Sequence, residues 1–213
     1  MCTVFDYFTH HGVWLTIVRM ITVGIDEVGR GCWAGPLVAG AVALPEKLVE
    51  GSVLAGLRDS KKLSKKQREK LAEAVHAEAL AVGIGWVTAA ELDTLGITTA
   101  VKRAMERALE QIDIEFGQVI IDGNINYFPD EPRAQAVIKA DDSVPAVSAA
   151  SIVAKVARDT YMTALDGRYT RYEFGKHVGY GTALHMELLK QHGVSDLHRR
   201  SFKPIKRLLE AAA

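Results

Sequence analysis

Ile21-Thr-Val-Gly-Ile-Asp-Glu-Val-Gly-Arg-Gly31 is the stretch on which the reading of this chain turns. An apolar run ends in two adjacent carboxylates, Asp26 and Glu27, and a tight Gly29-Arg30-Gly31 turn follows. The run predicts a buried strand over 21–25, and the glycines predict a loop at its end. Successive strand side chains point to opposite faces, so two acids in a row rarely both serve packing. Acids beside a glycine-lined backbone suit metal binding next to a phosphate.

The alternation of elements outward from this segment predicts an α/β domain. Residues 37–44 form a second strand, antiparallel to the first, and 81–87 a third. Residues 51–63 form a loop, and Ser64 caps a helix to about Leu80, with Gln67 closing a capping box. Helices are expected over 98–112, 144–166, 182–192 and 204–212, and short strands over 118–121 and 134–139. Three apolar strands then finish in acids, with Asp26 after Ile25, Asp122 after Ile121, and Asp141 after Lys139-Ala140. In open α/β sheets, sites form beyond strand ends. Ionised carboxylates gathered there repel one another, and a divalent cation resolves the conflict. Oxygen-only ligands favour Mg²⁺ or Mn²⁺ over Zn²⁺. Two such ions roughly 4 Å apart suit phosphodiester hydrolysis.

Bulk composition bounds the alternatives. The 213 residues are 48% hydrophobic and 24% charged, an ordinary globular composition long enough for one large domain. The 26 basic and 26 acidic residues balance, so a nucleic-acid surface must come from local clustering. Two cysteines, Cys2 and Cys32, form no disulfide framework, and a reducing cytoplasm is the expectation. No apolar run reaches the roughly 20 residues of a membrane span, and the first residues do not pattern as a signal peptide. His185, His192 and His198 lack zinc-site spacing and are assigned surface or helix-packing roles.

Taken in order, six segments resemble bacterial ribonuclease HII, the type 2 ribonuclease H. They are Asp26-Glu-Val-Gly-Arg-Gly31 with Ala34-Gly-Pro36, Asp59-Ser-Lys-Lys-Leu-Ser64, Ile121-Asp-Gly-Asn124, Ser148-Ala-Ala-Ser-Ile-Val-Ala-Lys155 with Arg158-Asp159, Gly179-Tyr-Gly-Thr182 and His198-Arg-Arg-Ser-Phe202. The resemblance implies a ribonuclease H-like mixed sheet flanked by helices, with a helical C-terminal portion. It places the catalytic domain at 20–213; residues 1–19 have no counterpart in it and read either as a loosely ordered N-terminal extension or as an upstream start read into the frame. It implies four metal-binding acids, Asp26, Glu27, Asp122 and Asp141, the last chosen over Asp142 by counting back from Ser148 without a gap. It implies that Gly29, Arg30 and Gly31 read a ribose 2′-OH through the main chain, and that Tyr180 stacks on the following deoxyribose. Lys61, Lys62, Arg199 and Arg200 lie within matched motifs and are the expected phosphate contacts, which position a duplex without reading sequence.

The activity implied is metal-dependent hydrolysis 5′ of ribonucleotides embedded in duplex DNA, and of RNA strands in RNA–DNA hybrids, leaving 3′-OH and 5′-phosphate. A monomer is expected, and the sequence is silent on a sliding-clamp partner. The chain departs from the family pattern at Cys32, where Pro is common, at Trp33, where an aliphatic residue is usual, and at Val178, where Lys is frequent. Two other classes are weaker. A non-catalytic hybrid-binding module would have lost a metal ligand, whereas all four acids are present. A nucleotide-phosphate cradle would need a Gly-Lys-Ser/Thr ending and a helix directly after the turn.

Overall fold

The computed structural model describes residues 4–8 and 14–18 as backbone only, and 21–45, 47–48, 50–54, 57 and 63–211. Lys61 and Lys62 lie outside the described residues. Within 1–19, β1 (Val4–Phe8) and β2 (Trp14–Val18) pair antiparallel as a two-stranded sheet of their own.

The main sheet has the order β5-β4-β3-β6-β7, with β3 (Thr22–Val28), β4 (Leu37–Ala43), β5 (Ala81–Val87), β6 (Gln118–Asp122) and β7 (Ala134–Val137). β3 pairs antiparallel with β4, as expected, and β4 pairs antiparallel with β5. On the other side, β3 and β6 run parallel, as do β6 and β7. The sheet is therefore mixed, and β3, which carries the Asp-Glu pair, is its central strand.

Helices cover both faces, and glycines let them approach. An added Cβ at Gly83 or Gly85 would fall 2.0 Å from the Ala108 carbonyl oxygen or 1.9 Å from that of Ala104. Both carbonyls belong to α3 (Ile97–Leu109). On the opposite face, a Cβ at Gly24 would lie 2.2 Å from backbone atoms of Ala146 and Val147, and one at Gly40 would lie 2.4 Å from the Ala150 carbonyl oxygen. Those residues belong to α5 (Pro145–Ala164), whose Ala- and Ser-rich first half lets its backbone rest on the sheet. α1 (Lys65–Glu78), capped by the expected Ser64–Gln67 box, packs outside α5 through Leu71, Ala72 and Val75. Gly24→Ala is expected to lift α5 from β3 and cost about 3 kcal/mol, at the upper end for overpacking. Urea unfolding checks this against Gly31→Ala, whose Cβ meets nothing within 4 Å and leaves the midpoint in place.

Several elements differ from expectation. α2 (Ala89–Leu95) precedes α3, begun by a Thr88–Glu91 capping box and ended at Gly96. β7 stops at Val137 because Lys139 takes a left-handed turn (φ 57°), and α4 (Ala140–Ser143) follows. Asp141 is thus in the first turn of a helix and not at a strand end. The C-terminal portion is helical, with α6 (Phe174–His177), α7 (Ala183–His192) and α8 (Lys203–Ala211). Together with the end of α5 these enclose a second apolar centre around Met162, Phe174, Leu189 and Ile205.

Candidate active site

The register between β3 and β6 decides where the acids meet. Ile25 lies beside Ile121 at the end of the parallel pairing, so Asp26 and Asp122, the last residue of β6, stand side by side. β3 does not end at Ile25 as expected but carries Asp26 and Glu27 within it, paired to Gly40 and Ala39 of β4. By strand alternation Asp26 and Asp122 fall on the α5 face and Glu27 on the α3 face. Asp122 also recruits Asp141. Its Oδ1 accepts the Ala140 N–H at 2.8 Å and the Asp141 N–H at 3.5 Å, capping the start of α4. Asp141 is 2% exposed, whereas Asp142 faces solvent. The structure therefore brings Asp26, Asp122 and Asp141 to one corner of the sheet, with Glu27 at its rim.

That corner is electrostatically uncomfortable. Burial pushes the Asp26 carboxyl up to about 7, against a hydrogen bond donated by Ser151 of α5, and the charges of Glu27 and Asp122 add to the rise. Burial also raises Glu27, with Arg30 opposing. Asp26 Oδ1 accepts the Glu27 N–H at 2.7 Å, and Glu27 Oε1 receives the Arg30 guanidinium at 3.5 Å. Among the described residues, no three of His, Cys, Asp and Glu stand as a ready-made ion cage. The donor chemistry nevertheless fits a hard divalent cation, because buried carboxylates that resist ionising beside one another are stabilised by positive charge and supply oxygen alone.

The glycine turn lies directly after these acids. Gly29 has φ 86°, and a Cβ there would fall 2.3 Å from Nε of Arg158. The Cys32 N–H closes the turn on the Gly29 carbonyl at 3.2 Å, leaving Arg30 and Gly31 exposed. Two buried arginines hold this loop from behind. Arg158 donates to the carbonyls of Pro36 (2.8 Å), Val178 (2.8 Å) and Ala34 (3.0 Å). Arg199 donates to those of Gly29 (2.7 Å), Arg30 (3.2 Å) and Gly35 (3.1 Å). Arg199 is fully buried, so its guanidinium supports the turn and does not meet solvent, correcting its expected place among the phosphate contacts. Arg200 is exposed, with its backbone N–H on Asp93 at 2.7 Å.

Tyr180 sits across from the turn. The Gly179 carbonyl accepts the N–H groups of Trp33 (2.8 Å) and Ala34 (3.3 Å), tying the two loops together. The Tyr180 ring is 37% exposed, with Lys155 Nζ 5.1 Å and the Arg158 guanidinium carbon 5.8 Å from its centroid. Sequence reasoning missed Ser151, Lys155 and Arg158 as individual side chains of this site. Their one available signal was their position inside matched segments.

Comparison with known proteins bears on the family and the fold. The ribonuclease HII family model matches residues 23–205. The chain is 49% identical over 191 residues to the ribonuclease HII of Shewanella loihica, covering 88% of this chain and 89% of that one. Its fold is similar to the crystal structure of ribonuclease H2 from Pyrococcus horikoshii, with a TM-score of 0.76 at 30% identity, covering 90% of this chain and 98% of that one. It is also similar to the ribonuclease HII of Archaeoglobus fulgidus solved in complex with PCNA, with a TM-score of 0.74 at 28% identity, covering 88% and 96%. No helix among the described residues is long and apolar enough to cross a membrane. With a family model spanning most of its length and near-full-length relatives of the same kind, the chain belongs to the ribonuclease HII family and is a ribonuclease H.

Proposed function

We propose that the chain hydrolyses the phosphodiester 5′ of a ribonucleotide embedded in duplex DNA, as well as RNA in RNA–DNA hybrids, leaving 3′-OH and 5′-phosphate. The observation that carries the reading is the parallel register that sets Asp26 beside Asp122, with Asp122 drawing in Asp141, one turn away from an exposed glycine loop. Asp26, Glu27, Asp122 and Asp141 hold the divalent ions, Mg²⁺ or Mn²⁺, two during catalysis. Such ions, when bound, activate water and stabilise charge on the leaving oxygen.

The chain's own residues position the substrate. The Gly29-Arg30-Gly31 main chain approaches the ribose closely because no Cβ intervenes at exposed Gly31, while Gly29 lets the turn sit on Arg158, and the 2′-OH is what separates RNA from DNA at that point. Tyr180 offers a ring face to the next sugar. Arg200, Lys61 and Lys62 contact phosphates, so binding weakens steeply with salt. The protein acts as a monomer, and a sliding clamp is its candidate partner, supported by the PCNA complex of the Archaeoglobus relative.

The test is an end-labelled DNA duplex carrying one ribonucleotide, incubated with Mg²⁺, with Mn²⁺ and with chelator. The expected product is one cut 5′ of the ribonucleotide, with 3′-OH and 5′-phosphate ends, absent in chelator. Duplex binding without a cut under either ion would overturn the proposal and favour a binding module.

A further inference from the structure

Behind Tyr180 lie three imidazoles that the proposed mechanism does not use. His177, His185 and His198 are 5%, 0% and 1% exposed. The His177 and His185 rings stack with centroids 4.1 Å apart, and His185 Nε2 lies 3.0 Å from His198 Nε2. Every ring nitrogen has a partner. His177 Nε2 is 2.8 Å from the Tyr172 carbonyl, and its Nδ1 receives the Gly179 N–H at 3.2 Å. His185 Nδ1 is 2.9 Å from the Tyr180 carbonyl. His198 Nδ1 receives the Ser195 N–H at 3.0 Å and faces the Ser195 hydroxyl at 2.8 Å.

These partners allow one proton arrangement. A carbonyl only accepts, so His177 Nε2 and His185 Nδ1 carry hydrogen. A backbone N–H only donates, so Nδ1 of His177 and of His198 are bare. His198 therefore carries its hydrogen on Nε2 and donates it to the bare Nε2 of His185. All three rings are neutral and none has a free nitrogen for a metal. The charged groups facing them are Asp166 and Glu173 toward His177 and Asp196 toward His198, and none displaces these contacts. Burial depresses all three, His185 to about 4 and His198 to about 3, which keeps them neutral at ordinary pH.

The bonds of His177 and of the His198–His185 pair, joined to each other by the His177–His185 stack, end on the two residues that meet the substrate loop. His177 accepts the Gly179 N–H, His185 donates to the Tyr180 carbonyl, and the Gly179 carbonyl holds Trp33 and Ala34 just after the glycine turn. We infer that His177, His185 and His198 form a neutral, single-tautomer relay that positions Tyr180 against the Gly29-Arg30-Gly31 turn and so sets selectivity for the ribonucleotide–DNA junction. They are positioning residues, and the inference rests on Tyr180 reading that junction as proposed above.

The test exploits amide side chains. Asn places its Nδ2 where His Nδ1 stands and can keep the bond to Tyr180, whereas Gln places Nε2 where His Nε2 stands and cannot. Junction preference is read as kcat/KM on a single-ribonucleotide duplex divided by kcat/KM on an RNA–DNA hybrid. His185→Gln is expected to lower it about tenfold, the size of one buried hydrogen bond, and His185→Asn to keep it within about threefold. Tyr180→Ala is the control for the underlying reading and lowers the preference by about tenfold or more. A loss in Tyr180→Ala with none in His185→Gln, or equal losses in both His185 variants, would overturn the relay alone. No loss in Tyr180→Ala would overturn the role of Tyr180 itself. The unmodified protein gives a readout that needs no variant to fold. Imidazole ¹⁵N spectra at pH 7 are expected to show His185 protonated on Nδ1, with His177 and His198 on Nε2. An Nε2-protonated His185 would overturn the relay.

Discussion

Asp26→Asn is expected to abolish cleavage and, in chelator, to make the protein more stable than its parent. The loss of activity follows from the proposed role of Asp26 as an ion ligand. Metal assistance contributes several kcal/mol to such reactions, and about 1.4 kcal/mol is tenfold in rate, so a fall of about a thousandfold or more is expected. The gain in stability follows from the same carboxylate. Its folded pKa is raised from 3.8 to about 7, chiefly by burial. Between those values the folded protein holds a proton that the unfolded chain releases, so stability falls as pH rises through that interval. The penalty is complete above pH 7 and amounts to roughly 4 kcal/mol. Asn has no charge to desolvate and keeps an oxygen for the Glu27 N–H. Thermal unfolding in chelator at pH 8 should place the variant roughly 5–10 °C above the parent. The gap should close towards pH 4, and Mg²⁺ should raise the parent selectively. A variant less stable than its parent at pH 8 would show that Asp26 is comfortable in the fold.

The adjacent arginines should separate sharply. Arg199→Ala leaves the carbonyls of Gly29, Arg30 and Gly35 without their buried donor and is expected to cost about 4 kcal/mol. Lys in its place recovers little, because one ammonium cannot reproduce a planar fork reaching three acceptors. Arg200→Ala, at an exposed side chain, should change stability by less than about 0.5 kcal/mol and reduce the salt slope of duplex binding by about one. Urea unfolding and salt-dependent binding measure both. An Arg199 variant that stays fully stable but loses salt slope would return Arg199 to the phosphate contacts.

What the sequence disclosed depended on the range of the interaction. Asp26 and Asp122 are legible because an apolar run meeting an acid is a local pattern, and so is the antiparallel pairing across the glycine turn, but the end of the first strand is not, since β3 continues through Asp26 and Glu27 to Val28. The Ser64 capping box is legible because it too is a local pattern. The Thr88–Glu91 box carries an equally local signal for α2, whose seven residues before Gly96 are too few to show a helical apolar period. Asp141 reads in sequence as following a strand because the apolar pattern of 134–138 conceals the left-handed turn at Lys139. α6 has left-handed residues at both ends, Glu173 and Val178, and β-branched Val178 gives no hint of φ 41°. The buried arginines and the histidine relay were not legible. Arg199 resembles its exposed neighbour Arg200 until the carbonyls of residues 29, 30 and 35 are brought to it across the fold. His185 and His198 meet only once α7 and the following loop are packed.

Calorimetric titration of Mn²⁺ into the parent and into Asp26→Asn, Glu27→Gln, Asp122→Asn, Asp141→Asn and Asp142→Asn tests the central claim most directly. Binding in the parent that weakens about tenfold or more in each of the first four variants, the loss of one charged ligand, and persists in Asp142→Asn is the expected result. Undiminished binding in those four variants, or a loss confined to Asp142→Asn, would contradict the assignment of the site to the corner where β3, β6 and α4 meet.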